Sequence, residues 1–395
     1  MKKVAFFTEM LIDDFDGAAR TMFQLINRID PQQYNYFFIY GNGPQTFKNF
    51  LSLKVPTLNI PINDDYSMAI PQLIKQKLEQ ALDEFMPDMV HIATPSLLGF
   101  YALNYAKKRD IPVLTIYHTH FISYIKYYLR NISALVKPTE KIMKKAMNSF
   151  YNRCDLIYVP TSSIMEELKE LGIAPEKLTL WQRGIDGNTF NPTKRNPAYL
   201  QQITKNNKTN ILFASRLVWE KNIDTLIAIY NLIKKEKLPF NLIIVGDGAA
   251  KNTAMLAMPE AYFLGKLAHT ELSQVYASAD AFVFTSTSET YGNVVIEAMA
   301  SGLPCVIANG GGSASLICHE LTGFKCHPTQ ATDYVYYLKK LRNEPALRAR
   351  IIEQGLSYVK RLDWTSLANR YFDEVDSLTQ SHTFTDTDTV FAWAN

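Results

Sequence analysis

Several things are scarce in this chain of 395 residues. No apolar run reaches the roughly 18 consecutive residues that a helix needs to span a bilayer, which argues against a membrane-crossing protein. Only four cysteines occur, Cys154, Cys305, Cys318 and Cys326. They are scattered, with neither zinc-site spacing nor a disulfide framework, and are expected to be reduced, as in a cytoplasmic protein. An excess of one charge is missing as well: the formal net charge is +3, which alone points to no partner. A targeting segment is not expected either. Met1–Phe7 soon meets Glu9, Asp13, Asp14 and Asp16, so the start reads as a first strand. Core material is plentiful, at 47% hydrophobic and 12% aromatic residues, and the length suggests two or more domains.

Short apolar runs alternate with helical patterns from end to end. Val4–Phe7, Tyr36–Tyr40, Met89–Ala93, Val113–Tyr117 and Leu156–Val159 read as strands covered on both faces, with helices such as Ala18–Ile29, Pro71–Phe85 and Gly99–Arg109 between them. A polar stretch, Asp186–Asn207, with Pro192 and Pro197, reads as a linker. The pattern then restarts in Asn210–Ala214, Phe240–Val245, Ala261–Leu264, Ala281–Phe284 and Cys305–Ala308. The expectation is an α/β protein of two Rossmann-like domains with parallel sheets facing across a cleft, ligands lying beyond the C-terminal strand ends. The expected bounds are 1–190 and 191–365, then a helix over 366–380 and a mobile polar tail over 381–395.

The segment Ser286–Gly302, Ser-Thr-Ser-Glu-Thr-Tyr-Gly-Asn-Val-Val-Ile-Glu-Ala-Met-Ala-Ser-Gly, is the most telling. It places Glu289 in a loop after a strand and Glu297 inside the next helix. The helix start at Asn293 and Val294 offers free N–H groups to an anion. Together these supply hydroxyl recognition and phosphate recognition. A pair of carboxylates also suits glycoside hydrolysis when both flank one glycosidic bond, which spacing alone does not decide, and loop and helix glutamates are often merely solvated.

The Glu-x7-Glu spacing with Gly292 between the acids, and the closing Glu-Ala-Met-Ala-Ser-Gly, resemble the nucleotide-sugar signature of retaining GT-B glycosyltransferases of family 4. The resemblance extends over most of the chain. Ala214-Ser-Arg-Leu-Val-Trp-Glu-Lys-Asn222 resembles the family's Gly-Arg-Leu-x-x-Glu-Lys-Asn motif, with Ser215 in place of the glycine. It implies that Arg216 and Lys221 hold the donor diphosphate. Cations there stabilise the charge that a leaving nucleoside diphosphate gains as its glycosidic bond breaks. Val245-Gly-Asp-Gly248 resembles the turn beside the nucleotide base, placing Gly246 there, and Gly310-Gly-Gly312 resembles a loop near sugar and diphosphate, placing Gly311. Arg183-Gly-Ile-Asp186 resembles the element that precedes the interdomain linker, and Asp16-Gly-Ala-Ala-Arg20 keeps one glycine, Gly17, of a donor-phosphate loop. The Tyr-His-Thr-x-Phe form at Tyr117–Phe121 resembles glycolipid-forming members, glucosyl- and sulfoquinovosyl-diacylglycerol synthases and mannosyltransferases, and implies that His118 hydrogen-bonds the donor hexose or its phosphate. The resemblance also implies that Glu289 holds the hexose hydroxyls, Glu297 the ribose diol and the N–H groups of Asn293 and Val294 the phosphate. It implies front-face transfer in which the leaving phosphate takes the acceptor proton, so no general base is nominated.

No Asp-x-Asp triplet follows a strand, so metal-independent transfer without a cofactor is expected, with a nucleotide-sugar such as UDP-glucose, UDP-galactose or GDP-mannose as co-substrate. Between Phe121 and Arg153 seven cations stand against Glu140 alone, among them Lys126, Lys141, Lys144 and Lys145, interleaved with Tyr124 and other apolar residues. Three readings fit: a solvated helix face, a patch for anionic lipid, or a nucleic-acid surface without a recognised motif. The lipid reading fits a membrane lipid or lipid-linked acceptor and a cytoplasmic protein peripheral at the inner face of the plasma membrane, with no nucleic-acid partner. A soluble acceptor, a non-catalytic nucleotide-sugar-binding protein, an epimerase and a phosphorylase are the competing readings.

Overall fold

The computed structural model describes residues 1–13, 15, 17–59, 67–118 and 133–390, the side chains of 133–136 and 381–390 excepted. Two compact units result. One comprises Met1–Pro160, Met165–Trp181 and Thr365–Asn395, the other Thr161–Ile164 and Gln182–Trp364.

Among its described residues the first unit holds a seven-stranded parallel sheet. In chain order its strands are β1 (Lys2–Met10), β2 (Tyr34–Asn42), β3 (Leu51–Lys54), then, after a two-stranded antiparallel hairpin of β4 (Thr57–Asn59) and β5 (Ser67–Ala69), β6 (Met89–Ile92), β7 (Val113–Ile116), β8 (Leu156–Val159) and β9 (Leu178–Leu180). The spatial order is β3-β2-β1-β6-β7-β8-β9, reversing between β1 and β6. Val4 through Phe7, against Met89 through Ile92, are at most 1% exposed. Burial on both faces is what makes these runs almost wholly apolar, His91 apart, rather than alternating. Burying each large side chain contributes about 1.5–3 kcal/mol.

The last helix (Trp364–Val390) packs on this unit. Tyr371 presents its hydroxyl 2.7 Å from His91 Nδ1 and 3.3 Å from the Tyr36 hydroxyl. Trp181 Nε1 donates to Leu367 O at 3.0 Å and Lys2 pairs with Asp376 at 2.9 Å. Burial pushes the His91 imidazole down to about 3, so it is neutral. The helix continues to Val390; its backbone thus covers 381–390, where the polar repeat had suggested a mobile tail. Residues 391–395 lie outside the described residues.

The second unit holds, among its described residues, a six-stranded parallel sheet: β10 (Thr209–Ala214), β11 (Phe240–Val245), β12 (Tyr262–Gly265), β13 (Ala281–Phe284), β14 (Cys305–Ala308) and β15 (Gly323–Cys326). The order is β12-β11-β10-β13-β14-β15, reversing between β10 and β13. The stretch 186–207, expected as a linker, is part of this fold. Pro192–Lys194 forms a 3-10 turn and Pro197–Thr204 a helix, with proline at a first-turn position where a missing N–H costs nothing. Phe190 and Leu200 are buried in the core, and Asn196 N donates to Ser278 Oγ at 2.8 Å. The second unit takes up the chain at Gln182, earlier than the 190/191 boundary that the polar composition suggested.

Candidate active site

Order reversal in a parallel sheet splays the loops on either side and opens a crevice beyond the carboxyl ends of the two strands. In the second unit the loops after β10 and β13 flank that point, and polar bonds stitch them together. Asn222 adopts left-handed backbone (φ 56°) and its side chain donates to Thr285 O at 3.2 Å and Pro328 O at 2.7 Å. Thr285 Oγ1 donates to Lys221 O at 2.9 Å, and Ser288 Oγ to Glu220 O at 3.1 Å. The stitching brings Lys221 Nζ to 2.7 Å from Glu289 Oε1, with Ser288 Oγ at 3.4 Å. Lys221 is 6% exposed. Arg216, on the same loop, pairs with Glu220 at 3.1 Å while its side chain is 59% exposed.

Burial alone would raise the Glu289 carboxyl. The Lys221 charge and hydrogen bond, then the charges of Arg216 and Arg183, outweigh it and hold the group below the usual carboxylate range. Arg183 is a site residue that the sequence did not reveal as one. It is buried, its guanidinium lies 5.6 Å over the Tyr291 ring, and the Tyr291 hydroxyl donates to Arg183 O at 2.8 Å. Its motif was visible, but nothing in the spacing tells that its charge helps to lower the Glu289 carboxyl.

Two glycines fix the loops. Gly246 has φ +135°, and a Cβ there would stand 1.8 Å from Ser215 O. The turn after β11 therefore interlocks with the Arg216 loop, and Leu217 N donates to Asp247 O at 2.8 Å. Gly311 has φ +62° with a would-be Cβ 2.4 Å from Thr287 O, and next to it Gly312 N donates to Glu289 O at 2.6 Å. Only glycine allows such conformations together with such approach. These two positions shape the Arg216 and Glu289 loops through backbone packing.

The helix Asn293–Ala300 follows Glu289. Its cap, Gly292, provides no side-chain bond, so the first-turn N–H groups of Asn293 and Val294 are left without side-chain capping. Both residues are partly exposed while Val295–Ala300 are buried. Within this helix Glu297 is 5% exposed and accepts from the Tyr276 hydroxyl at 3.3 Å. Cations around one ionised carboxylate, beside a helix start, suit a ligand that combines a diphosphate with a polyol.

Two family models match the chain: Glycosyltransferase Family 4 over residues 15–188 and Glycosyl transferases group 1 over residues 197–357. The chain is 30% identical over 377 residues to the sulfoquinovosyl transferase SQD2 of Arabidopsis thaliana, covering 88% of this chain and 72% of that protein. The chain belongs to glycosyltransferase family 4. The glycosyltransferase is also 24% identical to the alpha-monoglucosyldiacylglycerol synthase of Streptococcus pneumoniae, over 78% of this chain and 71% of that protein. Its structure is similar to HepE of Anabaena, solved with UDP and glucose, with TM-score 0.72, 18% identity and coverage of 95% and 100%. The fold is thus GT-B, two Rossmann-like domains, and the enzyme is a hexosyltransferase that uses a nucleotide-sugar.

The remaining expected site residues of the glycosyltransferase lie in the first unit. His118 is 8% exposed and follows β7 by two residues, and Gly17 opens the helix Gly17–Ile26 just after β1. Lys141, Lys144 and Lys145 are exposed on the helix Ser133–Tyr151, whose Met147, Phe150 and Tyr151 are buried. Tyr124, Lys126 and Phe121 lie outside the described residues.

Proposed function

We propose that this glycosyltransferase moves a hexose, with retention and without a metal ion, from a nucleotide-diphospho-sugar to a membrane lipid or lipid-linked glycan at the cytoplasmic face of the membrane. UDP-glucose, UDP-galactose and GDP-mannose are the donors to test. The observation that carries the reading is the 2.7 Å pair of Lys221 with Glu289 at the sheet's reversal point, with Arg216 on the same loop. In the donor complex Lys221 and Arg216 turn to the diphosphate, with the N–H groups of Asn293 and Val294, and Glu289 accepts from hexose hydroxyls. Glu297 takes the ribose diol, and His118 supports the hexose or its phosphate. As the glycosidic bond breaks, negative charge grows on the leaving phosphate. Fixed cations in a water-poor site stabilise that charge, and the phosphate takes the acceptor proton on the face of attack. The diphosphate is met by side-chain cations, a set that does not require a divalent ion.

A lipid acceptor is supported by the name of the streptococcal relative, which makes a glucosyl-diacylglycerol. It is supported also by the cationic face of helix Ser133–Tyr151, where Ile142 is 71% exposed among Lys141, Lys144 and Lys145. Among the described residues no helix is long and apolar enough to cross a membrane. A surface that attracts anionic headgroups at about 1 kcal/mol per cation brings the enzyme to its acceptor reversibly. The test is a donor panel with purified protein, reading nucleotide release with and without diacylglycerol or polyprenyl-phosphate vesicles. Release stimulated by lipid supports the proposal. Release stimulated only by water-soluble sugars moves the acceptor to the soluble class.

A further inference from the structure

Arg183 stands apart from the residues that the motifs nominate. It sits at the start of the second unit, 6% exposed, on a segment anchored from two sides. Ile185 N donates to Leu362 O at 2.9 Å, and a Cβ on Gly184 would stand 2.7 Å from the Trp364 ring. Its backbone carbonyl accepts from Tyr291, two residues beyond Glu289, and its guanidinium covers the Tyr291 ring. A buried cation on a rigid support, beside the loop of a carboxylate, has lost both its hydration and its freedom to move away.

Lys221 contacts Glu289 at 2.7 Å, with the Ser288 hydroxyl beside the same ammonium, and the charges of Arg216 and Arg183 add to the pull on its carboxyl. Glu220 is taken up by Arg216. Lys221 and Arg216 sit on the loop after β10 and serve the diphosphate in the reading above. A bound donor therefore turns both toward phosphate and weakens their hold on Glu289. Arg183 belongs to another segment, stacks on Tyr291, and keeps its place.

We propose that Arg183 is a positioning residue of the donor site: it holds Glu289 as a fixed carboxylate acceptor for the hexose hydroxyls once the donor diphosphate has drawn Lys221 and Arg216 away. The proposal rests on the donor-site reading above. It separates two states of the enzyme. With the site empty, Lys221 dominates the field at Glu289 and Arg183 is secondary. With donor bound, Arg183 carries most of that field.

The pH dependence of kcat/KM reports ionisations of the free enzyme and that of kcat those of the bound complex. An opposite charge a few ångströms away typically lowers a carboxyl by about 1–3 pH units. The variants are Arg183→Gln, Arg183→Met and Arg183→Lys. Folding and donor-site integrity are checked first by calorimetric binding of UDP and GDP, which lack the hexose and so do not call on Glu289. The acid limb of kcat with the best donor of the panel is expected to move up by about one unit in the Gln and Met variants. The limb of kcat/KM should move less, the Lys variant should restore the parental profile, and diphosphate affinity should be unchanged. Equal loss of kcat at every pH, or a limb that stays at the parental pH in variants that still bind the nucleoside diphosphate, overturns the role of Arg183. Failure of the parent itself to bind any nucleoside diphosphate overturns the donor-site reading instead. If Gln and Met do not fold, the Lys variant with Tyr291→Leu, which removes the support under the cation, is read by the same two profiles.

Discussion

Replacing Lys221 by alanine tests the donor site most sharply, because the side chain serves two partners in turn. With the site empty it is paired at 2.7 Å with Glu289, on side chains that are 7% and 23% exposed. Removing one member of a fully buried pair typically costs about 3–5 kcal/mol. Here Arg183 and Arg216 still act on Glu289 and its carboxylate is partly hydrated, so the cost to stability should lie nearer 1–2 kcal/mol, well below that limit. In the transition state the loss is of a different kind, a fixed cation missing from the leaving diphosphate, and one such preorganised contact is worth about 10²–10³ in turnover. Lys221→Ala should therefore remain folded and bind donor, yet turn over 10²–10³-fold more slowly, by the same estimate. Lys221→Ala combined with Glu289→Gln should regain part of the stability, since no uncompensated carboxylate remains, without regaining turnover. The assay is initial-rate nucleotide release beside urea unfolding. A double variant that recovered both stability and activity would show that the pair is only a structural salt bridge, and parental turnover in the single variant would refute the reasoning.

Four further outcomes follow from particular contacts. Gly246→Ala should cut donor affinity and soluble yield together, since its Cβ would meet Ser215 O at 1.8 Å; parental nucleotide binding by calorimetry would contradict this. Activity should survive exhaustive chelation, and activity lost on chelation and restored only by Mg²⁺ or Mn²⁺ would show that the cationic clamp is misread. His91 is held at about 3 in the fold against roughly 6.5 unfolded. Its contribution to stability is thus full above pH 6.5 and is lost as pH falls toward 3, at about 1.4 kcal/mol per unit. Comparison of urea unfolding at pH 7 and 5 with His91→Gln should show the parent losing about 2 kcal/mol more than the variant, and equal losses would refute it. Finally, the parent should co-sediment with anionic but not neutral liposomes in low salt, and Lys141/Lys144/Lys145→Glu should not; indifference to lipid charge would return this helix to a solvated face.

The central strands were legible because both of their faces are covered. Val4–Phe7 and Ile211–Phe213 are apolar without interruption, and Met89–Ile92 is broken only by the buried His91; such runs need no partner to be recognised. The edges were not. Leu51–Lys54 is half exposed, with Leu51 at 53%, and Leu178–Leu180 is three residues long. Strands of this kind are defined by the neighbour they pair with. Gly323–Cys326 carries no β-branched residue, and its glycine is required because a Cβ there would stand 2.7 Å from Cys305 O, a tertiary fact. Asp186–Asn207 looked like a linker because its caps and turns are polar, yet Leu200 and Phe190 anchor it in the core. At the site the motifs pointed to Lys221, Glu289 and Arg216, and the structure joins the first two directly. Arg183 stayed hidden because its proximity to the Glu289 loop comes from Tyr291, across more than a hundred residues of chain.

The most direct measurement is the anomeric configuration of the product formed on a diacylglycerol vesicle from a donor labelled with ¹³C at the hexose C1, read by NMR before any later exchange. The expected product is an α-linked hexose with the donor's configuration retained, formed by the parent and lost in Lys221→Ala and Glu289→Gln. A β-linked product, or transfer undiminished in both variants, would contradict it.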